Sequence, residues 1–313
     1  MKKVMVTGAM GFIGSWVVKE MRRQGVEVIA VVRENASVSD SCFGEGVRIV
    51  YCDMKDYSGI PSLIQDRDID AIFHFAWDGV SGERTRDAAI QMSNLQATLD
   101  LIRAASEMGC GTFIGSGSLH EIESFYEMQE DKPIYNLGYM YKASKLAAHW
   151  MGKALAGSLK IRFFWPVVAN AYGEGEVSKR LINTVIRSVL QGESPKLSAG
   201  KQNYDFLHIE DVAHAFYLIA EKGVDGTNYI IGSGDAKPLR EYLEVVGKIA
   251  NDAAGTDISL GFGEIVSNVV YLPESVFSIE QLVKDTGFAP TITFEEGVKR
   301  TVDWIVGQGR HAF

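Results

Sequence analysis

The sequence predicts an α/β fold, a doubly wound parallel sheet with a smaller C-terminal lobe. Two observations predict it. A short β-prone run, Lys3 to Thr7, leads through glycines into an amphipathic helix over residues 12–24. Strand-like and helix-like segments then alternate to about residue 166. This alternation is typical of parallel strands joined by right-handed helical crossovers.

The remaining elements follow from composition and periodicity. Val28 to Val32 is almost wholly apolar, as expected for a strand that is buried on both faces of the sheet. Further strands are predicted at Val47–Tyr51, Ala71–Phe75, Thr112–Ile114 and Lys160–Phe164, with helices over 87–108 and 139–155. Beyond residue 166 we expect a helix near 179–191, a strand at 205–209, a helix to 222 and a strand at 228–231.

Composition and charge exclude several classes of protein. The chain has 313 residues, with 31 basic against 40 acidic side chains, and this net negative charge disfavours nucleic acid and anionic membranes as partners. No apolar run in the sequence is long enough for a membrane-spanning helix, and the glycine turn begins too close to the first residue for a signal peptide. Cys42, Cys52 and Cys110 are far apart, and no metal-ligand spacing occurs. We expect a cytoplasmic protein without a metal.

The glycine turn is the first functional motif. Residues 7–14 read T-G-A-M-G-F-I-G, directly between a strand and a helix. Glycines allow a tight turn and a close approach of the backbone to a pyrophosphate, and the helix start favours anions. A plain turn is the alternative, but the flanking strand and helix favour dinucleotide binding. The residues expected to contact the cofactor here are Gly8, Met10, Gly11, Phe12, Ile13 and Gly14.

The end of the second strand indicates which dinucleotide is bound. NAD-binding folds usually carry an acidic residue there, whereas this strand ends in Arg33. A guanidinium can pair with a 2′-phosphate, helped by Asn35 or Ser37. We therefore predict NADP, with NAD as the alternative if Arg33 is only a solvated surface cation.

Tyr141 and Lys145 form the second motif. They are four residues apart in a predicted helix and so share one face. A neighbouring ammonium lowers the pKa of a phenol, which could then exchange a proton with a carbonyl oxygen. The alternative is an ordinary amphipathic helix face.

Several further segments complete a pattern along the chain. They are Cys52-Asp53-Met54, His74-Phe75-Ala76, Asn94, Asn170-Ala171-Tyr172-Gly173, the run from Asp205 to Ala213, and Phe294 to Gly297. With the glycine turn and the Tyr/Lys pair, they make the sequence resemble the extended short-chain dehydrogenase/reductase family. This family contains nucleotide-sugar epimerases, dehydratases and 4-ketoreductases.

The resemblance implies roles for individual residues. Tyr141 would be the catalytic acid/base, and Lys145 would hold the nicotinamide ribose and tune the tyrosine. Ser118, with Ser116 as the alternative, would polarise the substrate carbonyl. Further cofactor contacts would come from Asp53, Met54, Ala76 and Asn94. Residues 1–166, with segments returning near 205–232, would bind the dinucleotide, and residues 167–313 would mainly bind a nucleoside-diphosphate sugar. Relatives also imply a homodimer formed through the 87–108 and 139–155 helices.

Departures from the family pattern narrow the chemistry. Dehydratases carry an Asp-Glu pair where this chain has Leu119 and His120, so dehydration is not expected. An Arg that anchors the diphosphate in the family is replaced by Tyr204. The candidate substitutes are Lys179, Arg180 and Lys201.

The residues predicted to contact substrate are Trp77, Ser116, His120, Asn170 and Arg180. Core packing is the alternative for Trp77. His120 or Glu121 is a candidate second proton donor, with a surface or structural role as the alternative for each.

These observations lead to a functional hypothesis. We predict an NADP(H)-dependent oxidoreductase that reduces a 4-keto deoxy sugar nucleotide, with Tyr141 as the acid. The first alternative is a 4-epimerase that retains its NAD(P). The third hypothesis is a non-catalytic protein that senses a dinucleotide.

Overall fold

The chain divides into two compact units. A computed structural model of the protein describes residues 1–38, 43–129, 138–266 and 270–308. The first unit comprises Met1–Val168, Ala213–Tyr229 and Lys284–Gly287, and the second comprises Ala169–Val212, Ile230–Val283 and Phe288–Phe313.

A parallel sheet of six strands forms the centre of the first unit. Its members are β1 (Lys3–Thr7), β2 (Glu27–Val32), β3 (Val47–Tyr51), β4 (Ala71–His74), β5 (Thr112–Gly115) and β7 (Arg162–Phe164). The strand order is β3-β2-β1-β4-β5-β7, and every neighbouring pair is parallel. The order reverses beside β1, which makes the sheet doubly wound and confirms the predicted fold class. A short strand β6 (Gly117–Ser118) pairs in parallel with β8 (Val167–Val168) beyond the sheet.

Helices connect these strands along the chain, except for the last helix named here, which follows the sheet's final strand. They are α1 (Phe12–Arg23), α2 (Ile60–Leu63), α3 (Ala88–Glu107), α4 (Leu119–Gln129), α5 (Tyr139–Ser158) and α7 (Ile209–Lys222), of which α7 enters this unit at Ala213. Helix α3 begins after Asp87, whose carboxylate accepts hydrogen bonds from the backbone N–H groups of Ala89 and Ile90. Such a side-chain cap satisfies donors that the helix itself leaves unpaired.

The predicted boundaries are correct to within about three residues, with two differences. The strand predicted from Lys160 begins only at Arg162, because Lys160 adopts a positive φ of 58° at the turn after α5. Beyond the predicted fifth strand, Gly117–Ser118 form β6 and Leu119 begins α4, two elements for which no prediction was made. The helix therefore begins immediately after Ser118.

The core of the first unit lies between the sheet and helices α3 and α5. Met5, Ile72 and Phe113 from the strands are fully buried, as are Ile102 of α3 and Ala148 of α5. Burying one such large apolar side chain contributes about 1.5–3 kcal/mol, so this layer holds the two helices firmly on the sheet. Cys52 and Cys110 are also buried and free, and Cys42 lies outside the described residues.

The second unit consists, in its described residues, of short strands and four helices, three of which pack on one another. Its strands are β9 (Asn170–Tyr172), β10 (Lys196–Leu197), β11 (Asn203–Tyr204), β12 (Phe206–His208), β13 (Ile230–Ile231), β14 (Lys237–Pro238) and β15 (Gly261–Phe262). Its helices are α6 (Leu181–Leu190), α8 (Leu239–Ala254), α9 (Glu280–Thr286, which ends in the first unit) and α10 (Phe294–Gly307). Val185, Val246 and Val298 of α6, α8 and α10 form one buried cluster. His208 is buried, with Nε2 2.8 Å from Glu174, as expected for a structural imidazole.

None of the helices in the described ranges is long and apolar enough to cross a membrane. The same residues contain no cluster of His, Cys, Asp and Glu that could hold a metal ion.

Candidate active site

The glycine turn between β1 and α1 forms a cradle that admits no side chain. Gly8 adopts a positive φ of 68°, and a Cβ built there would lie 2.5 Å from the Ala76 nitrogen. A Cβ on Gly14 would lie 2.2 Å from the Gly8 oxygen, which also accepts the Gly11 N–H at 2.8 Å. The three glycines therefore bring β1, β4 and α1 into close contact.

The start of α1 faces this cradle without a side-chain cap. Gly11 is the N-cap residue and provides no side-chain hydrogen bond. Met10 and Gly11 are exposed, whereas Phe12 and Ile13 are half-buried. The N–H groups and positive dipole of the first turn favour an anion, so these residues fit the pyrophosphate of a dinucleotide.

Arg33 and Asp53 lie next to each other at the carboxyl edge of the sheet. Arg33 follows β2 and is exposed. The Cys52 N–H donates to the Val32 carbonyl at 2.9 Å, so the ends of β2 and β3 meet. One carboxylate oxygen of Asp53 accepts the Glu34 N–H at 3.2 Å, and Met54 begins the short 3-10 helix that follows. A guanidinium and a carboxylate are thus available where the adenosine half of a dinucleotide would lie.

Asn94 of α3 holds the loop after β4. Its side chain is buried, its Oδ1 accepts the Asp78 N–H at 2.9 Å, and its Nδ2 donates to the Asp78 carbonyl at 2.8 Å. Both ends of the amide are therefore used within the protein. The contact between Asn94 and the cofactor stays a prediction.

Gln91 lies one helical turn before Asn94 on α3 and holds the Trp77 side chain in place. Its Oε1 accepts the Trp77 indole N–H at 3.1 Å and the Ser144 hydroxyl at 3.0 Å, and its Nε2 donates to the Gly79 carbonyl at 3.0 Å. Gln91 is 1% exposed, so the network is shielded from water. This network links α3, the 77–79 loop and α5.

Lys145 is buried on α5 between two indole rings and a carbonyl. Its Nζ donates to the Ser116 carbonyl at 3.0 Å and lies 3.7 Å from the Trp77 ring centre and 5.6 Å from that of Trp165. Burial lowers the pKa of Lys145 to about 7, although the nearby charge of Glu121 acts in the opposite direction. Cation–π attraction and one hydrogen bond thus hold a poorly solvated ammonium.

Tyr141 lies one turn before Lys145 on the same helix. Its ring meets Trp77 edge-to-face at 6.3 Å and His120 at 5.8 Å, with interplanar angles of 78° and 89°. The tyrosine is half-buried. The indole of Trp77 therefore contacts both members of the Tyr/Lys pair.

Ser116 and Ser118 follow β5 at the same edge. The Ser118 hydroxyl accepts the His120 N–H at 3.3 Å, and its backbone N–H donates to Glu121 Oε1 at 2.8 Å. Ser116 presents its carbonyl to Lys145, and its hydroxyl lies 3.4 Å from the Gly117 carbonyl oxygen. The structure therefore brings Ser116 to Lys145 and Ser118 to His120, whose ring meets Tyr141. The roles of both serines stay predictions.

Glu121 is the buried support beneath Ser118. Its Oε1 also accepts the Trp165 indole N–H at 3.1 Å, and its Oε2 lies 2.9 Å from His149 Nδ1. Glu121 is 2% exposed. Three donors from three elements thus converge on one carboxylate.

Asn170 and Arg180, also predicted to bind substrate, belong to the second unit. The Asn170 amide donates to the Asp205 carbonyl at 3.4 Å, and Arg180 Nε lies 3.2 Å from Glu176 Oε2 just before α6. The predicted diphosphate contact of Arg180 remains a prediction.

Sequence reasoning missed several supporting residues. Gln91, His149 and Trp165 lie far along the chain from the groups they contact, so only the fold pairs them. Glu123 carried a local signal, because it is three residues after His120 and shares a helix face with it. That signal required α4 to be assigned first.

Known proteins are similar to this chain along most of its length. The family model described as NAD dependent epimerase/dehydratase family matches residues 4–232. The dTDP-glucose 4,6-dehydratase of Escherichia coli is 24% identical to this chain, covering 96% of it and 92% of the relative. The enzyme of that name from Neisseria gonorrhoeae is 25% identical, with coverages of 97% and 95%.

Solved structures share the fold. The UDP-glucose 4-epimerase of Thermotoga maritima with UDP-glucose has a TM-score of 0.81 at 21% identity, covering 98% of this chain and 99% of that one. The Bordetella bronchiseptica enzyme WbmF with NADH has a TM-score of 0.79 at 21% identity, with coverages of 98% and 92%. At these identities the likeness shows the fold alone.

Proposed function

The chain belongs to the NAD dependent epimerase/dehydratase family, a family of short-chain dehydrogenase/reductase enzymes, and we propose that it reduces a 4-keto nucleotide sugar with NADP(H). One observation carries the proposal. Tyr141 and Lys145 are one turn apart on α5. The Lys145 ammonium donates a hydrogen bond to the backbone carbonyl of Ser116, one of the two candidate serines. Because this family consists of enzymes, the proposal starts from an enzyme and not from a non-catalytic sensor.

The cofactor requires the cradle at Gly8, Gly11 and Gly14. A Cβ at Gly8 or Gly14 would collide with backbone, so the turn fits a group that must approach the main chain closely. A nicotinamide dinucleotide, when bound, supplies or accepts the hydride.

Three side chains would act on the carbonyl. Tyr141 gives its hydroxyl proton to the carbonyl oxygen as the hydride arrives at carbon. Ser118 donates a hydrogen bond to the same oxygen and stabilises its developing charge. Lys145, when protonated, stabilises the tyrosinate that remains.

The carboxylates near Ser118 support reduction over dehydration. Glu121 is buried under three donors, and Glu123 is bonded to His120 and Lys142. Neither replaces the Asp-Glu pair of the dehydratases, whose positions here hold Leu119 and His120. We therefore propose reduction, although the curated relatives named above are dehydratases.

Arg33 supports NADP as the cofactor, with NAD as the alternative. Arg33→Ala should weaken NADPH binding about tenfold, because it removes a charged hydrogen-bond donor from the 2′-phosphate, and leave NADH binding unchanged. Arg103→Ala, an exposed arginine on α3, is the matched control. Equal losses for both cofactors, or tighter binding of NADH by the wild type, would contradict the assignment.

The function is tested by NADPH oxidation with 4-keto derivatives of dTDP- and UDP-glucose. The wild type should turn over at least one of them, and Tyr141→Phe should lower kcat by about 10²–10⁴ with unchanged NADPH affinity. Tyr217→Phe, on α7, controls for loss of a phenol. Turnover of Tyr141→Phe near the wild-type rate would overturn the mechanism.

A 4-epimerase is the second candidate. The UDP-glucose 4-epimerase fold matches almost the whole chain, and epimerisation would use the same Tyr141, Lys145 and Ser118. It predicts cofactor retained through purification and interconversion of sugar epimers without net NADPH consumption.

The homodimer also stays a proposal. Met92 on α3 and Trp150 and Met151 on α5 are exposed apolar residues on the two helices expected to form the interface. Light scattering of the purified protein gives its mass in solution.

A further inference from the structure

His120 and Glu123 form a histidine–carboxylate dyad on α4 that the proposed reduction does not use. His120 Nδ1 lies 2.6 Å from Glu123 Oε2, three residues further along the helix. The His120 side chain is 49% exposed, whereas that of Glu123 is 18% exposed. The imidazole can therefore reach a ligand that its carboxylate partner cannot.

Glu123 is held in its ionised form. Burial alone would raise its pKa, but the hydrogen bonds and positive charges of His120 and Lys142 outweigh burial and hold the pKa at about 2. Lys142 Nζ lies 2.8 Å from both Glu123 and Glu127. This ammonium fixes the Glu123 carboxylate in place.

An ionised carboxylate can only accept a hydrogen bond, so Nδ1 of His120 carries the proton. In the neutral ring, Nε2 is then the nitrogen with a lone pair that can accept a proton. The imidazole also meets the Tyr141 ring edge-to-face at 5.8 Å, so the dyad adjoins the phenol that the proposed reduction uses. Two groups capable of proton transfer are thus adjacent.

We propose that His120, oriented by Glu123, is a second acid–base group that exchanges a proton on a carbon next to the sugar carbonyl. This inference rests on the proposed function, because it takes the same 4-keto nucleotide sugar. Nε2 removes the proton, the C–H electron pair forms a carbon–carbon double bond, and the carbonyl oxygen takes the Tyr141 proton. Reversal returns a proton from His120 to carbon and one from oxygen to Tyr141. No oxidant or reductant is consumed.

The proposal adds an activity to the site. Exchange would occur with oxidised cofactor, when no hydride can be transferred.

Deuterium incorporation tests the proposal. The full-length protein is saturated with NADP⁺ in D₂O and given a dTDP-4-keto-6-deoxy sugar, and mass spectrometry and NMR follow deuterium at the carbons flanking the carbonyl. The wild type should accelerate exchange, and His120→Gln should lower that rate by about 100-fold or more. Glu123→Gln keeps the imidazole and should lower it about tenfold, because the ring loses its charged partner.

The matched control is His214→Gln. His214 Nδ1 lies 2.8 Å from Glu20 in the same unit, so this variant removes a comparable pair from α7 and α1. It should exchange at the wild-type rate. Circular dichroism and NADPH affinity verify that each variant is folded.

The two proposals fail in different ways. If no 4-keto sugar is reduced with NADPH, the proposed function is wrong. If reduction occurs but the wild type does not accelerate exchange, or His120→Gln exchanges as fast as the wild type, the second acid–base group is wrong.

Discussion

Helix α4 carries two carboxylates, each paired with a histidine, and the two pairs differ in burial. Glu121 pairs with His149 and is 2% exposed, and Glu123 pairs with the half-exposed His120. Two residues apart on a helix, the two carboxylates face different sides. In the inner pair, Glu121 with His149, the carboxylate accepts hydrogen bonds from the Ser118 backbone and the Trp165 indole. The outer pair, Glu123 with His120, adjoins Tyr141. The same chemical pair can therefore stabilise a site or transfer protons in it, and burial decides which.

Glu121→Ala should have the largest effect on stability. It leaves the donors of Ser118, Trp165 and His149 without their carboxylate, and removing one member of a buried network costs about 3 kcal/mol. Urea unfolding measures the loss. Glu123→Ala, on the outer side of the helix, should lose no more than about half as much. Equal losses of unfolding free energy in the two variants would show that both histidine–carboxylate pairs contribute equally to stability.

Lys145→Met should stabilise the protein while abolishing turnover. Lys145 feels the charge of the inner carboxylate, yet burial still lowers its pKa to about 7. Replacing a buried, poorly solvated ammonium by an apolar side chain of similar length should therefore add about 1–2 kcal/mol at neutral pH.

The pH dependence of that gain has a definite sign. The unfolded chain keeps the Lys145 proton up to a higher pH than the folded chain, so between about pH 7 and 10 wild-type stability rises with pH. The gain in Lys145→Met should be largest near pH 7 and shrink towards pH 10. A gain that grows with pH would contradict a lowered Lys145 pKa.

Trp77→Phe should have a smaller effect. The variant loses the indole hydrogen bond to Gln91 and presents a weaker ring to Lys145, a change of about 1 kcal/mol. We expect kcat/KM to fall about fivefold, with a shifted pH profile because the Lys145 pKa changes. Trp304→Phe, on α10 in the second unit, is the control for loss of an indole. An unchanged pH profile would leave Trp77 as a packing residue only.

His120→Gln should have the smallest effect on stability. The side chain is half exposed, so its loss should change the free energy of unfolding by no more than about 0.5 kcal/mol. The same change at His149 should cost clearly more, because it leaves Glu121 buried with fewer partners. Thermal unfolding of the two variants side by side measures the difference. A larger loss at His120 would reverse the comparison.

The parts of this site that are local in sequence could be predicted. The glycine turn, the strands β1 to β5 and the Tyr141/Lys145 spacing each depend on neighbouring residues, and the structure contains all of them. The pairs that support the site could not be predicted, since Ser144 meets Gln91 and His149 meets Glu121 only after α3, α4 and α5 have packed. The strand β6 and the start of α4 directly after Ser118 were not predicted, because the glycines and serines at 115–118 are also frequent in simple turns.

The central claim is that Tyr141 protonates a carbonyl that receives hydride from the cofactor. Its most direct measurement is a single turnover with NADPH deuterated at nicotinamide C4 and a 4-keto nucleotide sugar. We predict one deuterium at sugar C4 for each NADPH consumed by the wild type, and none from Tyr141→Phe on the same timescale. Transfer by Tyr141→Phe at the wild-type rate, or NADPH consumption without label in the sugar, would contradict the account.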